Sequence, residues 1–299
     1  MPELPDITIY IEALQARVVG RTLNRVRVAS PAVLRTYDPP FSAPQGQIVV
    51  RLRRLGKRIV FEFPDELFLV IHLMVAGRLQ WKAAGALVPK KVGLAALDFD
   101  NGSLILTEQG TKKRAGIWIL HGEEALERED RGGVEPLEAS SGEFAAALAA
   151  ENRTLKRALT DPRIFSGIGN SFSDEILWEA RLSPVARTRQ LDAEEIERLH
   201  TATVGQLIKW TDLLRSQVGD EWPAKVTAFR PEMAVHGKYG EACPRCGTAV
   251  QRIVYADNET NYCPTCQTGG RLLADRSLSR LLGDDWPGTL EELEELKGR

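Results

Sequence analysis

The 299-residue sequence contains no apolar run that approaches the ~20 residues needed to span a membrane. Its first residues also lack the basic segment followed by an apolar segment that marks a secretory signal. Both absences predict a cytoplasmic protein with no membrane partner.

The sequence also lacks an excess of charge of either sign. Its 39 Lys and Arg against 41 Asp and Glu give a formal net charge of -2, which argues weakly against a nucleic-acid binder. The distribution of charge matters more than the sum. Basic residues cluster at 51–58 and 112–114, and acidic residues cluster at 123–130, 192–197 and 284–295. Solvated loops explain such clusters more often than binding sites do.

Cysteine is scarce, and all four cysteines fall in one short stretch. They form two Cys-x-x-Cys pairs, Cys243 with Cys246 and Cys263 with Cys266. In a cytoplasmic chain this pattern predicts a metal site rather than disulfides. Four thiolates around Zn²⁺ leave no open coordination position, so we expect one structural zinc. The alternating residues 249–262 between the pairs predict a β-hairpin.

The remaining pattern predicts an α+β multidomain protein with a β-rich part followed by a helical part. Residues 5–18 carry an apolar helical face, with Pro5 and Gly20 as start and stop signals. Short apolar or alternating runs that predict strands lie at 26–28, 48–52, 59–63, 67–73, 92–99, 104–107 and 116–120. Because no helix pattern separates them, they favour a β-sandwich or flattened barrel. Helices are predicted at 143–150, around 155–159, after the turn 166–170, where Ser171 or Ser173 is the N-cap candidate, and at 192–216.

The N-terminal residues carry reactive groups. Removal of Met1 would leave Pro2 with a secondary α-amine, which titrates near pH ~8 and is partly neutral at pH 7. A neutral amine can attack an aldehyde carbon to form an iminium, and the Glu3 carboxylate could transfer protons beside it. A Met-Pro start is also common in chains where Pro simply opens a helix, so these residues gain weight only from the rest of the chain.

The motifs along the chain resemble the formamidopyrimidine-DNA glycosylase and endonuclease VIII family of base-excision repair. The resemblance runs from residue 2 to about 266 and rests on motifs in the family's order: Pro2-Glu3-Leu4-Pro5, Lys57, His72-Leu73, Gly167-Ile168-Gly169-Asn170, Val235-His236-Gly237-Lys238 and the four cysteines. It implies an N-terminal helix and β-sandwich, then a helix-two-turn-helix domain with a zinc-finger hairpin. We accordingly expect a catalytic domain at 1–122, a linker at 123–140, a DNA-binding helical domain at 141–234, the zinc hairpin at 235–268 and an extension at 269–299.

The resemblance implies a monomeric DNA glycosylase with abasic-site lyase activity, which meets the nucleoid when bound to damaged double-stranded DNA. Enzymes that act on a base take it out of the stack. Pro2 would attack C1′ of the damaged nucleotide, and Glu3 would protonate the sugar ring oxygen before β/δ elimination. Lys57 joins them as a catalytic-site residue that holds phosphate. The residues assigned to DNA binding are His72, Arg114, Lys156, Asn170, Lys238 and Asn258.

Several lesion-handling positions depart from the family's pattern. Asn258 stands where the family usually has an Arg near the hairpin tip, Val75 where it has a Met, and Ala115 where it has a Phe wedge. Met74 is one residue away from Val75, which in a strand would point it to the opposite face. The segment 216–235 is short for a base-capping loop. These departures favour action at a damaged or abasic site over removal of 8-oxoguanine in particular.

Two other functions fit parts of the sequence. A non-catalytic damaged-DNA or abasic-site binding protein on the same fold would explain Asn258 and Ala115, but it has no need of Pro2 and Glu3. A zinc-ribbon protein that binds RNA or acts in translation would leave the first six residues unexplained. After Cys266, residues 269–282 predict an amphipathic helix that either docks on the zinc domain or contacts another protein.

Overall fold

A computed structural model describes residues 1–110, 112–255, 258–274, 283 and 286–297. The chain divides into two compact units. The first contains residues 1–132 and 209–227, and the second contains residues 133–208 and 228–299. Within the described ranges, no helix has the length and hydropathy that a membrane crossing requires.

The first unit contains an N-terminal helix and a β-sandwich, as predicted. Helix α1 spans Leu4–Val18. The strands are β1 (Arg25–Val28), β2 (Arg51–Leu55), β3 (Arg58–Phe63), β4 (Leu67–His72), β5 (Gly77–Lys82), β6 (Gly93–Phe99), β7 (Gly102–Glu108) and β8 (Gly116–His121). They form two four-stranded antiparallel sheets with the orders β1-β6-β7-β5 and β2-β3-β4-β8. A short 3-10 helix, Pro31–Val33, follows β1.

The core of this unit lies between the sheets and α1. Alternate residues of a strand point to opposite faces, so Ile59, Phe61 and Phe63 of β3 face the same buried layer. Ile7 and Leu14, on one face of α1, belong to the same cluster. Helix α1 is therefore fixed by apolar burial along its length, and its first residues are held in place instead of fraying.

The turn after β4 contradicts one expectation from the sequence. Met74 lies in a turn between β4 and β5, with φ +53°, and not in a strand. The strand-parity reasoning that separated Met74 from Val75 was therefore wrong. Strand β5 was missed, although Leu79 and Trp81 alternate with the polar Arg78 and Gln80 as in a half-buried strand.

The segment predicted as a linker begins with a short helix. Helix α2 spans Glu123–Glu127, and its Leu126 is buried. Leu126 packs with Val60, Phe68 and Val70 in a second, smaller apolar cluster. Residues 123–127 are thus attached to the second sheet by apolar burial. The domain boundaries proposed from the sequence stay a prediction.

The second unit contains the helices and the zinc hairpin. Its helices are α3 (Ser141–Ala149), α4 (Leu155–Thr160), α5 (Asn170–Glu179), the first part of α6 (Ala193–Val218), α7 (Pro264–Thr268) and α8 (Leu290–Lys297), with a 3-10 helix at Thr188–Gln190. Strands β9 (Gln251–Tyr255) and β10 (Asn258–Tyr262) form the predicted antiparallel hairpin. The N-cap of α5 is Gly169, so the expectation of Ser171 or Ser173 was wrong. The Ser173 hydroxyl instead donates to the carbonyl oxygen of Gly169.

The C-terminal extension contacts the zinc hairpin through its first residues. The Leu273 backbone N–H donates to the Tyr262 hydroxyl at 2.8 Å, and the Leu272 N–H donates to the Gly288 carbonyl oxygen at 2.8 Å. Residues 271–274 are not helical. The amphipathic helix predicted for 269–282 falls largely on residues 275–282, which lie outside the described ranges.

Candidate functional site

The N-terminal residues lie buried at the start of α1. The Glu3 side chain is only 1% exposed, and its backbone N–H donates to Asp6 Oδ2 at 2.9 Å. Burial lowers the pKa of the Met1 α-amine, the charge of Glu3 opposes this, and those of Arg78 and Lys57 reinforce it. A lowered pKa enlarges the neutral, nucleophilic fraction of an amine at pH 7. The fold thus creates surroundings that favour a nucleophilic N-terminus.

Lys57 and His72 lie at one end of the β2-β3-β4-β8 sheet. Lys57 and Gly56 form the turn between β2 and β3, and Gly56 adopts φ +60°. Arg58, the next residue, pairs across the strands with His72. Burial lowers the pKa of His72 to about 3, and the charges of Arg58 and Lys57 act in the same direction. His72 is therefore neutral at pH 7 and offers a hydrogen bond rather than a charge.

Arg114 lies next to the same end of this sheet. Gly116, which opens β8 two residues later, pairs with His72. The buried Glu108 carboxylate accepts the backbone N–H groups of Arg114 and Ala115 at 2.8 and 3.0 Å. The backbone of Arg114 is thus fixed while its side chain stays exposed. Ala115 is 1% exposed, so it presents no wedge to a ligand.

In the second unit, Lys156 is bound by a buried carboxylate. Its Nζ lies 2.6 Å from Asp174 Oδ1 and donates to the Asn170 carbonyl oxygen at 2.6 Å. Asp174 Oδ2 accepts from His236 Nδ1 at 2.8 Å and from the Asn261 backbone N–H at 3.2 Å. The Asp174 side chain is fully buried, whereas that of Lys156 is 12% exposed. Asp174 therefore joins α4, α5, the segment before the zinc hairpin, and the hairpin itself.

The other candidate DNA contacts of this unit lie around the same hairpin. The Asn170 side chain donates from Nδ2 to the Glu259 carbonyl oxygen of β10 at 2.9 Å. Lys238 pairs with Glu241 at 3.1 Å. Asn258 opens β10 opposite Tyr255. The structure thus brings Lys156 and Asn170 together beside the hairpin.

The four cysteines are placed to hold one tetrahedral metal ion. Their Sγ atoms all lie within 4.8 Å of one another, and Zn–S bonds of ~2.3 Å in a tetrahedron separate the sulfurs by about 3.8 Å. The Trp178 indole N–H donates to Cys243 Sγ at 3.3 Å. Such a donor to a thiolate orients the ligand from outside the metal's own shell. The donor set fits a structural Zn²⁺.

Sequence reasoning missed Asp174, Glu108 and the role of His236. These three residues act through buried hydrogen bonds, some of them between residues distant in the chain: Asp174, for example, bonds to His236, 62 residues away. The acidic pair Asp174-Glu175, four residues after the Gly-x-Gly-Asn turn, was the available signal. Buried acidic residues within a helix need partners, and the Glu175 carboxylate accepts the backbone N–H groups of Ala234, Val235 and His236.

Three parts of the chain match models of known protein families. Residues 1–113 match the formamidopyrimidine-DNA glycosylase N-terminal domain, and residues 133–211 match the formamidopyrimidine-DNA glycosylase H2TH domain. Residues 240–269 match the zinc finger found in FPG and IleRS. This last match agrees with the geometry of the four thiols, so the predicted structural zinc is confirmed.

Whole proteins and solved structures agree with these matches. The formamidopyrimidine-DNA glycosylase of Geobacillus kaustophilus is 34% identical over 282 residues, which cover 89% of this chain and 100% of the relative. That of Exiguobacterium sibiricum is 32% identical, with 89% and 99% covered.

Among solved structures, the Lactococcus lactis Fpg bound to abasic-site DNA aligns with a TM-score of 0.79 at 26% identity, covering 89% of this chain and 99% of that one. MutM with carbocyclic 8-oxo-G DNA aligns at 0.80 and 27% identity, covering 89% and 100%. The predicted α+β multidomain fold is therefore confirmed, and the chain belongs to the formamidopyrimidine-DNA glycosylase family.

Proposed function

We propose that this protein is a base-excision-repair DNA glycosylase that also cleaves the strand at the resulting abasic site. One observation carries the proposal: Pro2 and Glu3 are both buried at the start of α1, where burial lowers the pKa of the α-amine of Met1, the residue before Pro2. A proline that served only to begin a helix would not require charged side chains around the α-amine. Family membership and the DNA-bound structures of relatives support a substrate of double-stranded DNA with a damaged base or an abasic site.

The covalent step requires the form of the protein that lacks Met1. The Pro2 nitrogen attacks C1′ of the damaged nucleotide, and the bond from C1′ to the base breaks with its electron pair leaving on the base. The Glu3 carboxylate takes up the proton that the Pro2 nitrogen loses and passes it to the sugar ring oxygen, so the ring opens and an iminium forms at C1′. Because Glu3 is buried next to the amine, it needs no large movement to act as the proton donor.

Strand cleavage follows from the positive charge of the iminium. The iminium acidifies the C2′ hydrogen, and loss of that proton expels the 3′-phosphate by β-elimination. A second proton loss expels the 5′-phosphate by δ-elimination. Lys57, whose charge acts on the α-amine of Met1, would hold a phosphate of the damaged strand, and the neutral His72 would add a hydrogen bond there.

Further phosphates would be held by Arg114 in the first unit and by Lys156, Asn170 and Lys238 in the second. Contacts of this kind position DNA without reading its sequence. Each Lys or Arg that neutralises a phosphate adds close to one to the slope of log affinity against log salt. We expect the protein to act as a monomer.

A non-catalytic DNA-binding protein is the second candidate. The burial of Ala115 favours it, because this chain presents no aromatic wedge at that position. The burial of Pro2 and Glu3 next to a perturbed amine disfavours it. The two candidates differ in covalent chemistry and not in DNA affinity.

Borohydride trapping on a duplex with one abasic site separates the two candidates. The wild type should form a reduced covalent complex, Pro2→Gly should form much less at equal DNA occupancy, and Glu3→Gln should form it more slowly. Tyr37→Ala, which alters an exposed ring of the first unit, is a surface control and should trap like the wild type. Tight binding by a wild type shown to lack Met1, without any trapped complex, would establish the non-catalytic candidate.

A further inference from the structure

Two side chains from different parts of the first unit hold the backbone of residues 114 and 115. Glu108, the last residue of β7, accepts the backbone N–H groups of Arg114 and Ala115. Arg35 Nη2 donates to the carbonyl oxygens of the same two residues at 2.9 and 3.0 Å. One carboxylate and one guanidinium thus form a clamp that occupies both the donors and the acceptors of this backbone.

Arg35 is itself fixed by the segment that carries it. Its backbone N–H donates to the Ile117 carbonyl oxygen at 2.9 Å, and its Nη1 donates to the Ala32 carbonyl oxygen at 2.6 Å. The hydroxyl of the next residue, Thr36, donates to the Ile119 carbonyl oxygen at 3.0 Å. This segment therefore runs along β8 and brings the guanidinium to the first residues of that strand.

Gly116 provides the space that the Arg35 side chain occupies. A Cβ added at residue 116 would lie 2.7 Å from Nε and 2.9 Å from Cγ of Arg35. A larger residue there would therefore displace the guanidinium. Gly116 also pairs with His72, so the clamp lies at the end of the sheet where Lys57 and His72 are found.

A simpler explanation is that these bonds only stabilise the loop, since backbone groups need partners and a buried carboxylate needs donors. The exposure of the clamped residues points further. Ala115 and Gly116 are buried, whereas the side chain of Arg114 is exposed and carries a positive charge. Fixing the backbone of a ligand-binding residue reduces the freedom that it loses on binding. The clamp would thus prepare Arg114 to meet an anion.

We infer that Arg35 and Glu108 are positioning residues that fix Arg114 for contact with a DNA phosphate. The inference rests on the proposed function, in which Arg114 holds a phosphate. Neither positioning residue has to contact DNA, because both act through the backbone that carries Arg114. Glu108 is 1% exposed and negatively charged, so it does not attract DNA directly, and its contribution to affinity is transmitted through the clamped backbone.

The test measures DNA affinity and its salt dependence by fluorescence anisotropy. The duplex carries a tetrahydrofuran abasic analogue, which has no aldehyde carbon and cannot form the iminium. We expect Arg114→Ala to weaken binding and to reduce the slope of log affinity against log salt by about 0.9. Arg35→Lys keeps the charge but loses the planar fork of donors, and Glu108→Ala removes the acceptor. Each should weaken binding by about 2- to 10-fold.

Double variants show that the effect depends on Arg114. In the Arg114→Ala background, Arg35→Lys and Glu108→Ala should change affinity by less than about twofold. Glu108→Gln keeps an acceptor oxygen and removes a negative charge, so it should bind DNA at least as tightly as the wild type. Arg189→Lys is the matched control and should leave affinity unchanged, since Arg189 is also exposed and also donates to two consecutive carbonyl oxygens, at the end of α3.

Urea unfolding of each variant establishes that it is folded under the binding conditions, and if Glu108→Ala is not, Arg35→Lys alone decides the test. Equal losses with and without Arg114, or full affinity of Arg35→Lys, would overturn the inference and leave the Arg114 contact standing. An Arg114→Ala variant that binds like the wild type would refute the contact and the inference together. The catalytic proposal is tested separately by borohydride trapping of the wild type on abasic-site DNA.

Discussion

The ion pair between Lys156 and Asp174 should stabilise the second unit strongly, because it is buried. Asp174→Asn keeps an oxygen that can accept from His236 and Asn261 but removes the charge that faces Lys156. Breaking a buried pair by neutralising one partner typically costs about 3–5 kcal/mol. Because Lys156 is 12% exposed and Asp174 is fully buried, we expect a loss near the lower end, about 3 kcal/mol.

A double-mutant cycle isolates the interaction energy of this pair. The zinc-loaded wild type, Asp174→Asn, Lys156→Met and the double variant are unfolded in urea and followed by circular dichroism. Removing both partners should cost less than the sum of the single changes, with a coupling energy of about 2 kcal/mol.

Arg128 and Glu124 provide the matched control. Their charged atoms are also 2.6 Å apart, but their side chains are 73% and 80% exposed. The same cycle on this pair should give about 0.5 kcal/mol or less. Equal coupling energies for the two pairs would refute the reasoning, because they would show that burial does not strengthen the Asp174 contact in solution.

Three further predictions concern other parts of the chain. The pKa of His72 lies at about 3, below its ordinary value of 6.5, so the unfolded state binds the proton first and His72 should destabilise the fold as the pH falls from about 6.5 towards 3. The urea midpoint of His72→Gln should therefore depend less on pH over this window than that of the wild type. An unchanged dependence would contradict the buried, neutral ring. Chelation of zinc should unfold the hairpin and alter the fluorescence of Trp178, whose indole N–H donates to Cys243. The fluorescence change on chelation should therefore be larger for the wild type than for Trp178→Phe. Equal changes would show that the signal comes from other tryptophans. Tyr262→Phe removes the acceptor of the Leu273 N–H, which should cost about 1–3 kcal/mol locally and speed hydrogen exchange at Leu273. Exchange at the Leu272 N–H, which bonds to the Gly288 carbonyl oxygen, serves as the control: it should speed up only if the whole extension detaches.

Features set by local pattern could be predicted from the sequence. The spacing of the four cysteines predicted the zinc site, because two Cys-x-x-Cys pairs can supply the four thiolates of a tetrahedral site. The apolar period of residues 5–18 predicted α1, since one buried face is enough to determine a helix. Strand β5 was missed although its Leu79 and Trp81 alternate with Arg78 and Gln80, the pattern of a half-buried strand. The structure adds that Arg78 donates to backbone carbonyl oxygens, including that of Val226.

Features set by contacts distant in the chain could not be predicted. Asp174, His236 and Asn261 meet through bonds spanning 62 and 87 residues, and no local spacing encodes such a cluster. The turn at Met74 depends on a positive φ that a non-glycine residue rarely adopts. The wedge position also needed the structure, since only the fold reveals that Ala115 is buried and that its backbone N–H donates to the Glu108 carboxylate.

The most direct test of the proposed chemistry is to locate the covalent bond itself. The borohydride-reduced complex formed on abasic-site DNA is digested with protease and nuclease, and the modified peptide is sequenced by mass spectrometry. We expect the sugar remnant on the α-nitrogen of Pro2, in a peptide that lacks Met1. A remnant on Lys57, or a trapped complex whose N-terminal peptide is unmodified, would contradict the assignment of Pro2 as the nucleophile.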